Sequence, residues 1–319
     1  MSKEYYESES VSQTRLKKIC NHPMSYKLYN PFGESSALTL GSLVDCILLT
    51  PNELEERFIE LEDNSIPTAI KSIWDEFYEH CEVLGNFDYQ GVIEEELLHN
   101  IIEAQGYRLK NKRATRLKFV IDNAQYFENK VKARGKTVID SETLAKAHEI
   151  CESIMNHPFT SHVIPSATET QVAIYWRFKD YDIELKSLLD FIEIDEENKT
   201  IQPWDLKTTA GYTSKFHEAI YKFRYDFQAA FYTAALMFAY PDYTILPFKI
   251  LVESTTRIGA PMIYTLSDEA LKVGAFGGEI DGVYYEGWMN CLDTLAWHLK
   301  ENVWDYPKFE YEQKGQVTI

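Results

Sequence analysis

The spacing of apolar positions changes along this chain, and the changes divide it into elements. Over residues 67–82 and 90–104 apolar side chains recur at close to 3.6 positions, which predicts two helices. Residues 10–21 and 37–49 predict two more, and the second is apolar almost all round, so it is expected to be buried with Gly41 and Asp45 on one side. Pro51-Asn52-Glu53-Leu54 reads as a helix start with proline in the first turn. Ser141–Asn156 opens on a serine and stops ahead of Pro158. From Gln171 the period drops to two: Val172, Ile174 and Trp176 alternate with Ala173 and Tyr175, a strand running to Phe178. Two apolar runs, Asp182–Ile194 and Thr200–Thr209, flank the polar turn Asp195-Glu196-Glu197-Asn198-Lys199 and predict an antiparallel hairpin. A helix from about Ser214 to Ala239 ends before Pro241, Phe248–Thr255 is a strand, and Asp268–Lys300 is mostly helical with a glycine-rich break at 274–282. Helices, then three or four central strands, then helices again give an α/β fold, a central mixed β-sheet flanked by helices.

The hairpin carries the chemistry. Alternation on a strand places Asp205 and Lys207 on one face, roughly 7 Å apart, with Leu206 turned into the opposite layer. Asp190, near the end of the partner strand, is positioned to face Asp205 across the ladder. Two carboxylates with a backbone carbonyl, that of Leu206, make an all-oxygen site suited to Mg²⁺ or Mn²⁺. A lysine beside them can orient an attacking water or stabilise charge growing on a phosphate. Gln228 and Tyr232, one turn apart, share a helix face. Plainer readings exist for each: an exposed Asp205–Lys207 ion pair worth under about 1 kcal/mol, a core-edge pair for Gln228 and Tyr232. For Asp190 a surface role fits poorly, because an unpaired carboxylate on an apolar strand is costly.

Asp190, Asp205-Leu206-Lys207-Thr208-Thr209 and Arg224-Tyr225-Asp226-Phe227-Gln228-Ala229-Ala230-Phe231-Tyr232, in that order, resemble the PD-(D/E)XK nuclease superfamily, and within it the RecE (exonuclease VIII) branch of phage-type recombination exonucleases. The resemblance reaches upstream to Ser10-Val11-Ser12-Gln13-Thr14-Arg15-Leu16-Lys17-Lys18, and to Gly41-Ser42-Leu43-Val44-Asp45, where relatives carry Gly-x-x-x-His. It implies a restriction-endonuclease-like core over a single domain, residues 1–319, with a helical, partly basic insert at 56–134 and a mostly helical C-terminal extension at 256–319. It implies Asp190, Asp205, Lys207, Gln228 and Tyr232 as catalytic residues. The implied metal ligands are Asp190, Asp205, the Leu206 carbonyl, Asp45 in place of the histidine, and Glu169 ahead of the core strands. It implies a Mg²⁺-dependent exonuclease (Mn²⁺ substituting) that digests linear double-stranded DNA 5′→3′ and leaves a 3′ single strand for an annealing partner. Relatives assemble as rings, so a homo-oligomer is expected. Leu188-Leu189 stands where relatives often have Arg-Pro, which removes one phosphate contact. A catalytically inactive DNA- or partner-binding module and a single-strand or structure-specific nuclease share most of these residues.

Charge sharpens the picture. The net charge of −18 speaks against a protein that simply coats DNA. Between Arg108 and Lys136, however, ten Lys/Arg stand against two acids. Arg108, Lys110, Lys112, Arg113, Arg116, Lys118, Lys132, Arg134 and Lys136, with Arg224 near the site, are therefore the candidate DNA contacts. The five scattered cysteines fit buried thiols in a reducing compartment, and they lack the close grouping of the iron–sulfur cluster found in some nuclease relatives. With no run of 18 apolar residues and no signal-peptide pattern, the chain reads as cytoplasmic with no membrane partner. The histidines lack zinc-site spacing, and the tryptophans are expected in the core.

Overall fold

The computed structural model describes residues 3–30, 36–61, 66–85, 87, 92–179 and 181–316. The chain forms two compact units, residues 1–53 with 146–319, and residues 54–145. The first is built on a seven-stranded mixed sheet with helices packed on it, the α/β layout expected from the sequence.

The strand Leu185–Asp195 lies at the heart of that sheet. One of its edges is covered antiparallel by Glu169–Trp176, from Leu185 to Ile192. Its other edge has two partners in succession. Val11–Ser12 pairs in parallel with Leu185 and Lys186. Thr200–Thr209 pairs antiparallel with Phe191 to Asp195. Among the described residues, no strand pairs with positions 187–190 along this second edge. On its far side Thr200–Thr209 runs parallel to Thr244–Ile245 and to Lys249–Ser254, and Met262–Thr265 closes the sheet antiparallel. Leu185, Leu189, Phe191 and Ile192 are all buried, as a strand covered on both faces requires.

The core forms around Trp176, whose ring meets Phe231 at 4.9 Å and Trp288 at 5.6 Å, both edge-on. Its indole N–H donates to Ser187 Oγ at 3.1 Å, so burial leaves no orphan donor. Trp74, Trp176, Trp204 and Trp288 are buried, as expected for core tryptophans, whereas Trp297, expected with them, is only half-buried.

Several expected elements differ in detail. The 10–21 helix begins only at Gln13, because Val11–Ser12 is drawn into the sheet and Ser12 then caps the helix by accepting from Arg15 N. The helix expected over 214–239 is broken. His217–Lys222 ends, Arg224 takes a left-handed φ of 60°, and Tyr225–Ala239 starts afresh. The glycine-rich break at 274–282 is the turn into a hairpin, Gly278–Ile280 with Val283–Tyr285, between helices Asp268–Phe276 and Trp288–Glu301. Gly274 is needed there: a Cβ would meet the Asp226 carbonyl oxygen at 2.1 Å. The 90–104 helix is seen as Val92–Ala104, its first two expected residues lying outside the described ones.

The 54–145 unit is mostly helical. Thr68–Leu84, Val92–Ala104, Arg113–Ile121 and Gln125–Lys132 pack around Trp74, Phe77 and Phe127, and Phe58–Glu60 pairs in parallel with Thr137–Ile139. The Trp74 indole donates to the Val120 carbonyl at 3.2 Å.

The expectation of five free thiols is corrected. Cys46, Cys81 and Cys151 are free and buried, but Cys20 and Cys291 form a disulfide, with Cα atoms 6.0 Å apart. A sequence separation of 271 residues concealed the pair. It ties the Gln13–Asn21 helix to Trp288–Glu301. Among the described residues no helix is long and apolar enough to cross a membrane.

Candidate active site

Pairing between the two hairpin strands ends at Phe191–Trp204, so Asp190 and Asp205 are the next residues along, where the strands part. Instead of a backbone ladder bond, the Asp190 carboxylate accepts from Leu206 N–H at 2.7 Å. This stitch holds Asp190 beside the 205–207 segment. Burial pushes the Asp190 carboxyl well above the usual carboxylate range, the Asp205 charge and then Asp45 push it further, and Lys207 and the Leu206 amide oppose them.

Asp205 is 2% exposed and accepts from Gln228 Nε2 at 2.8 Å. Lys207 Nζ lies 2.6 Å from the other Asp205 oxygen and donates to the Leu206 carbonyl at 3.2 Å. The strand alternation read from the sequence places both side chains as expected. Burial alone would lower the Lys207 pKa, but Asp205, Asp190 and Asp45 outweigh it and hold it above the ordinary lysine value. Lys207 is thus an ammonium at neutral pH, wedged between a carboxylate and a carbonyl.

The Tyr225–Ala239 helix supplies the back wall. Gln228 and Tyr232 both turn inward. Burial first, then Asp205 and Asp190, raise the Tyr232 phenol, so it stays protonated. The Ser36–Leu49 helix packs on both hairpin strands, with Gly41 close to Thr208. It brings Asp45 near enough to act on both Asp190 and Lys207.

Not every expected residue joins this group. Glu169 is exposed at the start of its strand, opposite Ile192, and its charge acts on Tyr240 rather than on the Asp190 cluster. Arg224 forks onto Asp226 with two 3.1 Å hydrogen bonds and donates to the Glu286 carbonyl at 2.6 Å. Asp226 is fully buried, so this arginine is held as the clamp that starts the helix. Within the 54–145 unit, Arg113, Arg116 and Arg134 pair with Glu96, Glu103 and Glu82, and Arg116 is itself buried. Arg108 lies over Phe119 at 4.1 Å. Lys110, Lys112, Lys118, Lys132 and Lys136 are exposed.

One residue at the site was not singled out from the sequence. Lys17, on the Gln13–Asn21 helix, sits over the Phe227 ring at 5.8 Å. Its pKa is lowered to about 8, by burial first and then by Arg224 and Lys207 against the pull of Asp226 and Asp205. The signal was the basic run Arg15-Leu16-Lys17-Lys18, but only the parallel pairing of Val11–Ser12 aims that helix at the site.

The donor set fits a hard divalent cation. Among the described residues no three His, Cys, Asp or Glu side chains stand close enough to hold an ion by themselves. The Leu206 carbonyl supplies the further oxygen, and a cationic group already rests against it and Asp205.

No protein of curated function matches the sequence. A crystal structure of a protein from Eubacterium rectale, named “Putative exonuclease”, is similar in fold, with a TM-score of 0.50 and 13% identity over 100% of this chain and 94% of that one. At that identity the likeness concerns the fold alone. Residues 10–277 match the family described as PDDEXK-like domain of unknown function (DUF3799). That span is most of the chain, and the chain belongs to this PDDEXK-like family, whose fold and conjoined carboxylates and lysine support a nuclease.

Proposed function

We propose that the chain is a Mg²⁺-dependent DNA exonuclease that digests linear duplex DNA 5′→3′ and leaves a 3′ single strand for an annealing partner. The nuclease reading is carried by one observation: Lys207 Nζ bridges Asp205 and the Leu206 carbonyl while Asp190 is stitched to the Leu206 amide. The end-directed and polar action is supported by the RecE-like order of Asp190, Asp205, Lys207, Gln228 and Tyr232. A ring of copies around DNA belongs to the same reading.

A bound Mg²⁺ would supply a polarised phosphoryl oxygen and a more acidic water. Asp190, Asp205 and the Leu206 carbonyl would hold it, with Asp45 behind them. Lys207, being protonated, orients the water and neutralises charge on the phosphate rather than abstracting a proton. Gln228 fixes the Asp205 carboxylate, leaving its other oxygen for the cation or for Lys207.

The direct test is incubation of the full chain with end-labelled linear duplex and Mg²⁺ beside a closed circular duplex. Release of mononucleotides from the linear duplex alone is expected. Negligible release from both rejects the nuclease, and cleavage of the circle rejects the requirement for an end.

Two further outcomes follow from placement. Lys17 is charged below about pH 8 and neutral above it. If it contacts a phosphate, end binding weakens by roughly tenfold as pH rises through that value. In Lys17→Arg the loss disappears, because guanidinium stays charged. Anisotropy titrations across this range decide it. Folding stability moves the other way: a depressed lysine burdens the fold while charged, so stability rises from about pH 8 toward the ordinary 10.5.

Lys110 and Lys112 report on the 54–145 unit. If they meet DNA phosphates, changing both to Gln reduces the slope of log K against log salt by about two. An unchanged slope removes this stretch from the DNA contact.

A further inference from the structure

Next to the Asp190–Asp205 centre lies a cavity of about 460 Å³, of the size that takes a small organic ligand. Tyr232, whose phenol responds to both carboxylates, forms part of its wall. Leu188, at a position of the central strand with no strand partner on that edge among the described residues, borders it as well, as does Lys186, which pairs with Ser12. Tyr6 and Tyr29 add two more aromatic rings.

Gln13 lines the same cavity and is 7% exposed. Its Nε2 donates to Thr14 Oγ1 at 2.9 Å and its amide also hydrogen-bonds the Tyr232 phenol, while its buried Oε1 has no hydrogen-bond partner among the described residues. Arg15 Nε, on the same wall, is equally without one. Buried polar atoms in folded proteins are nearly always matched, by protein, water or ligand, so Gln13 Oε1 is the atom of this wall that a ligand or a water could still satisfy.

The chemistry selects the occupant. Glu7 and Glu9 line the cavity and disfavour a phosphate. The two cations of the wall are already engaged: the Lys186 ammonium donates to the carbonyls of Tyr5 and Ser8, and the Arg15 guanidinium lies over the Tyr26 ring and donates to the Glu9 carbonyl. What remains is a slot with aromatic walls and, just behind its surface, an amide oxygen that a small turn of the Gln13 side chain brings to an N–H. A neutral, flat ring with polar edges fits it: stacking on tyrosine is tolerant of sequence, and the amide reads an edge.

We infer that this cavity receives the nucleobase of the DNA-end nucleotide whose phosphate lies at Asp190 and Asp205, stacked among Tyr6, Tyr29 and Tyr232 with its edge against Gln13. It deepens the nuclease reading and rests on it. The base leaves its duplex stack to enter, so this favours an end, where unpairing costs least. The Cys20–Cys291 disulfide and the strand pairing of Val11–Ser12 hold both ends of the helix that carries Gln13.

The test compares two blunt duplexes on the full-length protein, one unmodified and one whose terminal nucleotides on both strands are tetrahydrofuran abasic residues. Binding is read by anisotropy with Ca²⁺, and cleavage with Mg²⁺. The unmodified end is expected to bind roughly tenfold more tightly and to be cleaved faster by a similar factor. In Gln13→Leu and in Tyr6→Ala that ratio falls toward one. Equal treatment of the two ends by the wild-type protein in the binding assay overturns the base pocket, whatever the variants do. Absence of cleavage on both duplexes instead rejects the nuclease, while the Ca²⁺ binding ratio still decides whether the cavity holds a base.

Discussion

Replacing Asp205 by asparagine is expected to slow cleavage by about 10³-fold or more, with end binding largely retained. Asp205 is the hub of the site: Gln228 holds one carboxylate oxygen and Lys207 the other. Asparagine keeps the shape and can still accept from one neighbour, but it offers no net charge to a cation. Losing the several kcal/mol of charge stabilisation that a metal gives a phosphoryl transition state accounts for that factor. Lys207→Ala should fall by a comparable amount through a different route. It removes the ammonium but leaves Asp190, Asp205 and Asp45 facing one another uncompensated, so its stability also suffers. End-labelled duplex in Mg²⁺, with circular dichroism to confirm folding, separates the two. A folded Asp205→Asn protein that cleaves at the wild-type rate would sink the site.

The sequence disclosed the site better than its surroundings. Asp190, Asp205 and Lys207 were legible because strand alternation and hairpin register are local rules, and Gln228 with Tyr232 because a helix repeats every turn. Asp45 acts electrostatically on Asp190 and Lys207, which depends on tertiary packing of the Ser36–Leu49 helix on the hairpin and could not be read from local pattern. The parting of the strands at Phe191–Trp204 was not legible, since the apolar pattern of Leu185–Asp195 continues without a break. Gln13, Lys17 and the Cys20–Cys291 bond escaped for a related reason. Each depends on Val11–Ser12 joining a strand more than 170 positions away, and a two-residue strand leaves no periodicity to read. The break before Tyr225 was hidden because the fork of Arg224 on Asp226 replaces the proline or glycine that usually marks such a stop. Glu169 went the other way: a carboxylate ahead of a strand suggested a ligand, and the strand carries it out to solvent.

Asp190→Asn is expected to invert its stability relative to the wild-type protein on addition of a divalent cation. Without metal, Asp190 is a buried carboxyl that burial and the Asp205 charge make costly to ionise. Its bond from Leu206 N–H needs only an acceptor, which the asparagine carbonyl also provides. The neutral variant is therefore expected to melt higher in EDTA, by a few degrees for each kcal/mol relieved. The sign with pH is fixed. A carboxyl whose folded pKa is raised costs nothing below the unfolded value of about 4. It costs progressively more as pH climbs from there toward the folded value. The advantage of the variant should accordingly vanish in acid and open on the way to neutrality. Mn²⁺ reverses the order. A cation binding only the folded wild-type site at a hundred times its Kd adds about 2.7 kcal/mol, while the variant, short of one anionic ligand, gains little. Melting curves in EDTA and in Mn²⁺ at two pH values suffice. A variant less stable than wild type in EDTA at neutral pH would remove the carboxylate repulsion, and an equal Mn²⁺ shift in both proteins would remove Asp190 from the metal site.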